Sequence, residues 1–522
     1  MGRAVPVVKL SYTSIRVNIN FRKTLAVAPF LLAAGVLLAG LLGSFPFGSD
    51  EGENMLGAIS VARGGDIYKV FISQHTPFAY YCTSLFALMG IKSVIGFRIA
   101  FNAIILIFWL VIYRAYAGRM NKRIFLFVMA AYPLMAPFCL GHLILADVFT
   151  AYALVVLLIE YLRYLEDKTL SPGRMIIISL CVFVAVMSCF VGIYAVFIML
   201  LGFGAGELKG LSRAVLPGRC RRLLLFLLVL ALPFGLLLGW YAATDNLRNF
   251  YEQAYVFNRT VYSRYVGIGT SAVLPFISMP LTWLRHMREV AADGLNYGAV
   301  TLSLLLTCTN IVFLANLWRR QRLAAIVIFM FLAAAGIRGY GGMSYDGFHS
   351  APYYTVSLLI FGIVLSWLDR PQPWAWITSL CALMLFLGVT LPTYARHASF
   401  SAAALGKPVL FPTQYDAVIQ ACTRESDMIW SAGINAYVYI DNHRVPASRA
   451  GMLTPWFAEQ YTDVIIEDLS RNRPKLVIFD PEVIVWGYRL GDYGARIFSY
   501  IQTHYRQMDA ADPVKRKVYL LK

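Results

Sequence analysis

The chain has few charged residues for its length. Of its 522 residues only 14% are Asp, Glu, Lys or Arg, whereas 59% are hydrophobic. The mean hydropathy is +0.63. An average soluble protein carries about 25% charged residues. This deficit excludes an ordinary soluble enzyme and predicts a polytopic α-helical membrane protein.

The motifs of nucleotide and zinc sites are also missing. We find no Gly-rich phosphate loop, no dinucleotide fingerprint and no paired Cys/His spacing, and the eight Cys are scattered. The net charge of +18 would suit a nucleic-acid partner. The basic residues instead cluster between apolar runs, as they do in the cytoplasmic loops of membrane proteins. We therefore expect membrane lipid, and no nucleic acid, around this protein.

The order of the apolar runs predicts two regions. Residues 1–394 contain runs for about 11 membrane-spanning helices, and their basic flanks place the N-terminus in the cytoplasm and 44–98 as the first outer loop. Two stretches leave the number of spans open, 175–206 and 271–287. From residue 395 to 522 the composition is that of a soluble α/β domain, which an odd number of spans places outside. Short buried strands are predicted at 427–430, 436–440, 475–479 and 517–521, with a helix at 493–507.

Ionisable residues collect at the predicted outer ends of the spans. Asp50 and Glu51 follow the first apolar run directly. Carboxylates at this boundary are costly if they enter lipid, so a functional role is expected; the plain alternative is that they cap the next helix. His75, Asp147, Arg338 and His349 lie at other outer ends.

Such a set suits a lipid-anchored anionic substrate. Cations would bind a phosphate, and a carboxylate would take a proton from an attacking hydroxyl. Lys69, Arg259 and Arg264 are further candidate cations. The alternatives are that Lys69 is simply solvated and that the Tyr/Arg stripe at 251–265 is an interfacial aromatic belt.

These features, in this order, resemble the GT-C superfamily of membrane glycosyltransferases. The similar branch is that of the protein O-mannosyltransferases and the aminoarabinose (lipid A) transferases. The resemblance rests on the Asp50-Glu51 pair, the Gly65-Asp66-Ile67-Tyr68 segment, Pro77 before an interfacial helix, Asp147 at the fourth span, and the α/β tail.

The resemblance implies an inverting enzyme that moves one sugar from a polyprenyl-phosphate donor to an envelope acceptor. The acceptor would be lipid A or its core, a polysaccharide or a protein, on the outer face of a bacterial inner membrane, and the C-terminal domain would be periplasmic. Asp50 takes the position of the family's proposed catalytic base, with Glu51 as its partner. Asp147 matches the carboxylate of the second outer loop.

The phosphate-binding residues and the metal are less closely matched. Where the aminoarabinose transferases have Lys-Pro-Pro, this chain has His75-Thr76-Pro77. The lipid phosphate would then be contacted by His75, Lys69, Arg338 or another cation. His349 matches the family's pattern more loosely. No metal cofactor is expected, although Asp50 and Asp147 would be the ligands of a divalent cation if one were used.

Two other functions stay open from the sequence. An O-antigen ligase or polymerase would have its large outer loop, with paired Arg, late in the bundle, whereas this chain has its long loop first. A transporter or flippase for lipid-linked sugars would show two halves of similar pattern, and no internal repeat is visible.

Overall fold

A computed structural model describes residues 35, 38–118, 120–208, 216–266, 297–337, 347–368, 375–407 and 409–522. Most of the first predicted span (24–43), the stretch 271–287 and Arg338 lie outside these residues. All statements below refer to the described ranges.

The first part of the chain is a helical bundle. Its elements are α1 (Asp50–Ala62), α2 (Phe78–Leu88), α3 (Val94–Tyr116), α4 (Lys122–Cys139), α5 (Ala146–Asp167), α6 (Pro172–Ser188), α7 (Gly192–Leu208), α8 (Leu216–Ala243), α9 (Leu247–Phe250), α10 (Ser263–Val266), α11 (Tyr297–Arg320), α12 (Arg322–Ala335), α13 (Ala351–Leu368) and α14 (Ala375–Leu405). Two π-helical segments, Tyr251–Val256 and Asn258–Tyr262, join α9 to α10, and a 3-10 turn, Gly347–Ser350, precedes α13.

Seven of the described helices are long and apolar enough to cross a membrane: α3, α4, α5, α8, α11, α13 and α14. Four shorter apolar helices, α2, α6, α7 and α12, accompany them. The break between α6 and α7 falls within the stretch 175–206, for which the sequence leaves the number of spans open. The prediction of about 11 spans remains a prediction, because length and composition identify seven here.

Helices α5 and α13 form the centre of the bundle, since nearly all their residues are buried. Helices α8 and α14 lie at its edge and expose Leu and Trp side chains, as expected of surfaces that face lipid. At 31 residues, α14 is about 46 Å long at 1.5 Å per residue. It therefore exceeds the hydrocarbon core and continues past the predicted domain boundary at 394/395.

The first outer loop packs as a helical pair on the bundle. Helices α1 and α2 contact each other closely at Gly57, where a Cβ atom would lie 2.5 Å from the Tyr80 ring. Gly64, with φ of +94°, follows the end of α1 in a backbone conformation that favours glycine. This pair brings the start of α1 under the C-terminal domain.

The C-terminal region is a small α/β domain, in agreement with the predicted class. Its elements are α15 (Asp416–Cys422), β1 (Met428–Ser431), α16 (Tyr437–Ile440), β2 (Val445–Pro446), α17 (Pro455–Asn472), β3 (Leu476–Ile478), β4 (Ile484–Val485), β5 (Tyr488–Arg489), α18 (Leu490–Tyr493), α19 (Ala495–His504), β6 (Tyr505–Gln507) and β7 (Val518–Leu521). Five strands form one sheet in the order β2-β1-β3-β7-β6, in which β1 is parallel to β2 and β3, and β7 is antiparallel to β3 and β6.

Two local predictions in this domain are wrong. Residues 436–440 were expected as a strand but form the short helix α16, whose apolar side chains are all buried. A short apolar run fits a buried strand or a buried helix equally well by periodicity, and tertiary packing decides between them. The predicted helix 493–507 ends at His504, and the chain then continues as the edge strand β6.

The domain is attached to the first outer loop through main-chain hydrogen bonds. The Ala436 amide donates to the Gly48 carbonyl at 2.8 Å, and the Ile72 amide donates to the Arg449 carbonyl at 2.9 Å. The Ile72 side chain also packs into the core of the C-terminal domain. These contacts fix the position of the loop that carries Asp50.

Candidate active site

Asp50 is the first residue of α1 and is half-buried. The first turn of α1 also carries Glu51 and Glu53, and acidic side chains are favourable there because the helix N-terminus has a partial positive charge. The Glu53 amide donates to the Ser49 carbonyl at 2.7 Å, which closes this turn. The helix start therefore keeps the Asp50 carboxylate at the junction between the bundle and the loop.

Three outer segments that are distant in sequence meet around this helix start. The Asn54 amide group, one turn after Asp50, donates to the Ile144 carbonyl at 2.9 Å in the turn that precedes α5. Asp147 is three residues further along this segment, and its Oδ2 lies 3.3 Å from His349 Nδ1. The ring of Phe348 lies 5.3 Å from that of Phe47. The structure thus brings the segments of Asp50, Asp147 and His349 together.

Glu51 differs from Asp50 because its carboxylate is fully enclosed. Arg98 Nη2 donates to Glu51 Oε2 at 2.6 Å, and the Tyr437 hydroxyl donates to the same oxygen at 2.5 Å. The Ile144 amide donates to Glu51 Oε1 at 3.3 Å. The exposed fraction of both Glu51 and Arg98 is 0%. Glu51 therefore orders the start of α1, and we do not assign it a chemical step.

Glu53 forms a second buried cluster with the segment that replaces the Lys-Pro-Pro motif. The hydroxyls of Tyr80 and Ser73 donate to Glu53 Oε1 at 2.7 and 2.9 Å, and His75 Nε2 lies 3.6 Å from Glu53 Oε2. Burial acts to raise the pKa of the Glu53 carboxyl. The positive charge of His75 and the hydrogen bonds from His75, Tyr80 and Ser73 outweigh it, so the pKa lies below its usual value. The lowered pKa favours the charged form of Glu53.

The other predicted cations lie apart from Asp50. Lys69 Nζ donates to the Thr244 carbonyl at 2.5 Å and lines a cavity beneath the C-terminal domain. Arg264 Nη2 lies 2.5 Å from Glu459 Oε1 and so connects α10 to α17. Arg259 is exposed on the π-helical segment. The predicted role of Arg338 falls outside the described residues.

Three residues that organise this site were not predicted from the sequence: Arg98, Glu53 and Tyr437. The signal for Arg98 was its place one turn inside an apolar run, where a cation needs a buried partner. Glu53 follows Asp50 by three residues and so lies on the same side of α1. No local signal marks Tyr437, because its contact with Glu51 joins positions 386 residues apart.

Few side chains that could ligate a divalent cation lie together in the described ranges. Asp147 Oδ2 already faces His349, and within the described ranges no three His, Cys, Asp or Glu side chains form a group that could hold a metal ion. The alternative in which Asp50 and Asp147 bind a cation remains a prediction.

A comparison with solved structures finds a protein that shares this architecture. ArnT from Cupriavidus metallidurans, bound to undecaprenyl phosphate, superposes with a TM-score of 0.56 over 88% of this chain and 93% of that chain, at 16% sequence identity. The chain has the GT-C fold. The same protein in the apo state gives a TM-score of 0.56 at 15% identity, over 88% of this chain and 94% of that one. The GT-C resemblance expected from the sequence is therefore confirmed at the level of the fold.

A more distant GT-C match is the archaeal oligosaccharyltransferase AglB from Archaeoglobus fulgidus, in complex with an inhibitory peptide and a dolichol-phosphate. Its TM-score is 0.49 at 15% identity, over 88% of this chain and 70% of that chain, and we base no argument on it. No protein-family model matches the chain, and no curated protein sequence does.

Proposed function

We propose that this GT-C protein is an inverting glycosyltransferase that moves a sugar from a polyprenyl-phosphate donor to an acceptor in the cell envelope. The observation that carries the proposal is the position of Asp50. It is a half-buried carboxylate at a helix start where three outer segments of the bundle meet. A fold alone does not determine chemistry, so we infer the function from this site.

Helix α1 and the first turn of α5 carry four carboxylates that differ in exposure. Glu51, Glu53 and Asp147 are 0%, 5% and 2% exposed, whereas Asp50 is half-buried. A general base must come within hydrogen-bond distance of the proton that it removes. Asp50 is the more accessible of these four carboxylates, so we assign it the role of base.

The proposed step is a displacement at the anomeric carbon of the donor sugar. An Asp50 oxygen takes the proton of the acceptor hydroxyl while the acceptor oxygen attacks the anomeric carbon. The bond between that carbon and the phosphate oxygen breaks, and the electron pair leaves with the polyprenyl phosphate. Attack from the face opposite the leaving group inverts the configuration. The result is a new glycosidic bond and a free lipid phosphate.

The departing phosphate needs a cation close to α1. His75 is the candidate that the fold keeps there, because its ring is about a quarter exposed and faces the Glu53 carboxylate at 3.6 Å. A charge-assisted hydrogen bond from an imidazolium would stabilise the negative charge that develops on the leaving oxygen. Asp147 and His349 position the adjoining segments. We write no step through a metal.

We also propose a donor, a membrane and an orientation for this protein. ArnT was solved with undecaprenyl phosphate bound, which supports a lipid-linked donor for this fold. We propose the inner membrane of a bacterium, with a cytoplasmic N-terminus and a periplasmic C-terminal domain. This orientation places Asp50 on the outer face, where lipid A or its core, polysaccharide and protein acceptors are found.

The test is transfer of a radiolabelled sugar in membranes. A panel of polyprenyl-phosphate sugars would be supplied to wild type, to Asp50→Asn and to Asp463→Asn. Asp463 is an exposed carboxylate of the C-terminal domain, so its variant matches the loss of charge away from the site. We expect transfer by wild type and Asp463→Asn, and a loss of about a hundredfold or more in Asp50→Asn at equal abundance.

Two results would count against the proposal. Equal transfer by Asp50→Asn and wild type would remove Asp50 from the mechanism and turn attention to Asp147. Lipid-linked sugar that crosses the membrane without transfer, observed with the same labelled donors in sealed vesicles, would favour the flippase alternative.

A further inference from the structure

A polar cavity of about 520 Å³ lies between the first outer loop, the π-helical segments and α17 of the C-terminal domain. Its walls include Lys69, Gln253, Thr260, Arg449, Gln460 and Tyr461. The Ile72–Arg449 main-chain hydrogen bond fixes the loop side to the domain side at 2.9 Å. The cavity therefore exists only when both parts of the chain are folded together.

Two cations from different parts of the chain line this cavity. Lys69 is half-buried, and its ammonium group makes one hydrogen bond, to the Thr244 carbonyl. An ammonium group has three N–H donors, so two remain for a ligand. In the ranges that the structure covers, no carboxylate lies within 4.0 Å of Lys69 Nζ.

Asp468 orients the Arg449 side chain but binds only part of its guanidinium group. Its Nε donates to Asp468 Oδ2 at 3.1 Å, and 38% of its side chain is exposed. Both Nη groups have no hydrogen-bond partner among the described residues. A guanidinium group in this state presents a planar pair of donors, which suits a carboxylate or a phosphate.

The one acidic side chain in the lining, Glu252, is already paired. Its Oε1 accepts from Arg248 Nε at 2.7 Å, so its charge is compensated. Counting Lys69, Arg449, Asp468, Glu252 and Arg248 with their formal charges leaves one positive charge. The cavity consequently favours an anion.

Hydrogen bonds connect the cavity wall to the candidate active site. Gln253 Oε1 accepts from the Ser73 amide at 3.1 Å, and the Ser73 hydroxyl donates to Glu53. Glu53 lies one turn along α1 from Asp50. The cavity wall is therefore hydrogen-bonded, through Ser73, to the helix that begins at Asp50.

We propose that this cavity is a remote acceptor subsite that binds a part of an anionic glycan away from its reacting hydroxyl, with Lys69 and Arg449 as the residues that select negative charge. This inference rests on the proposed function, and it adds the chemical class of the acceptor. Tyr461 supplies an aromatic face, and Gln253, Thr260 and Gln460 supply the amide and hydroxyl groups that sugars need. The walls contributed by the C-terminal domain give that domain a role in acceptor binding.

The test uses a pair of probes that differ only in charge. Trigalacturonic acid and its methyl ester would be titrated by calorimetry into the full-length protein in detergent, with no donor present. We expect the acid to bind about a hundredfold more tightly than the ester, as two charge-assisted hydrogen bonds predict. Lys69→Gln and Arg449→Gln should each lower the affinity for the acid by about tenfold and leave that for the ester unchanged.

The controls separate charge selection from misfolding. Lys69→Arg should keep most of the preference for the acid. Arg496→Gln removes an exposed cation of α19, away from the cavity, and should have no effect. Unchanged binding of the ester shows that each variant is folded.

Equal affinity of wild type for acid and ester would overturn the inference, as would a preference that survives in the Lys69→Gln/Arg449→Gln double variant. Neither result depends on Asp50 or on a donor lipid. A failure here would leave the proposed transfer reaction standing, and a failure of transfer would leave the binding result intact.

Discussion

Glu51 and Arg98 form an ion pair in which neither side chain is exposed to solvent, with 2.6 Å between Glu51 Oε2 and Arg98 Nη2. Arg98 also donates to the carbonyls of Leu42, Ser44 and Phe45. These carbonyls belong to the segment that leads into α1. The pair therefore sets the path of the chain just before Asp50.

Glu51→Gln should destabilise the protein far more than it alters chemistry. The substitution leaves a buried guanidinium without its counter-charge, and breaking such a pair typically costs about 3–5 kcal/mol. The free energy of unfolding would be measured in mixed micelles by tryptophan fluorescence. As a control, Glu482→Gln breaks the exposed pair with Arg489 and should cost less than about 1 kcal/mol. Similar small losses in both variants would show that the buried pair is not a major source of stability.

Tyr437→Phe should weaken the attachment of the C-terminal domain to α1. The Tyr437 hydroxyl donates to Glu51 Oε2 at 2.5 Å, and a hydrogen bond to a buried charge contributes about 1.5–3 kcal/mol. Unfolding of Tyr437→Phe, Glu51→Gln and the double variant would form a mutant cycle. We expect the double variant to lose less than the sum, because both changes remove the same contact. Additive losses would contradict this coupling. Tyr488→Phe, an exposed position in β5, serves as the neutral control.

Asp441→Asn should stabilise the protein at neutral pH. Burial, with a smaller effect from the charge of Asp416, raises the pKa of the Asp441 carboxyl from 3.8 to about 6. A carboxyl group with a raised pKa in the folded state destabilises that state once it ionises. The penalty is absent below about pH 4, grows as the pH rises towards 6 and is complete above it.

The expected gain for Asp441→Asn is about 1–3 kcal/mol near pH 7.5 and most of it should vanish near pH 4. Melting temperatures of wild type and variant, taken across this range, would report the difference. Asp463→Asn, at an exposed position, should show no such pH dependence. A gain for Asp441→Asn that is the same at both ends of the range would argue against a titrating carboxyl.

Local patterns in the sequence were sufficient for much of the fold. Long apolar runs predicted the helices that could cross a membrane, because the hydrophobic effect and backbone hydrogen bonding act within a single segment. The same reasoning gave a cap of the next helix as one alternative for Asp50 and Glu51, and α1 begins at Asp50. Period and composition also identified the α/β class of the C-terminal domain.

The pairing of distant residues was decided by the tertiary structure alone. Asp147 and His349 are separated by 202 positions, and Lys69 and Arg449 line one cavity from opposite ends of the chain. Sequence patterns record whether a residue is apolar or charged, but a buried charge is stabilised by whichever partner the fold brings within about 3 Å. Glu51 and Asp50 show the consequence, since one of these adjacent carboxylates is enclosed in an ion pair and the other is half-buried.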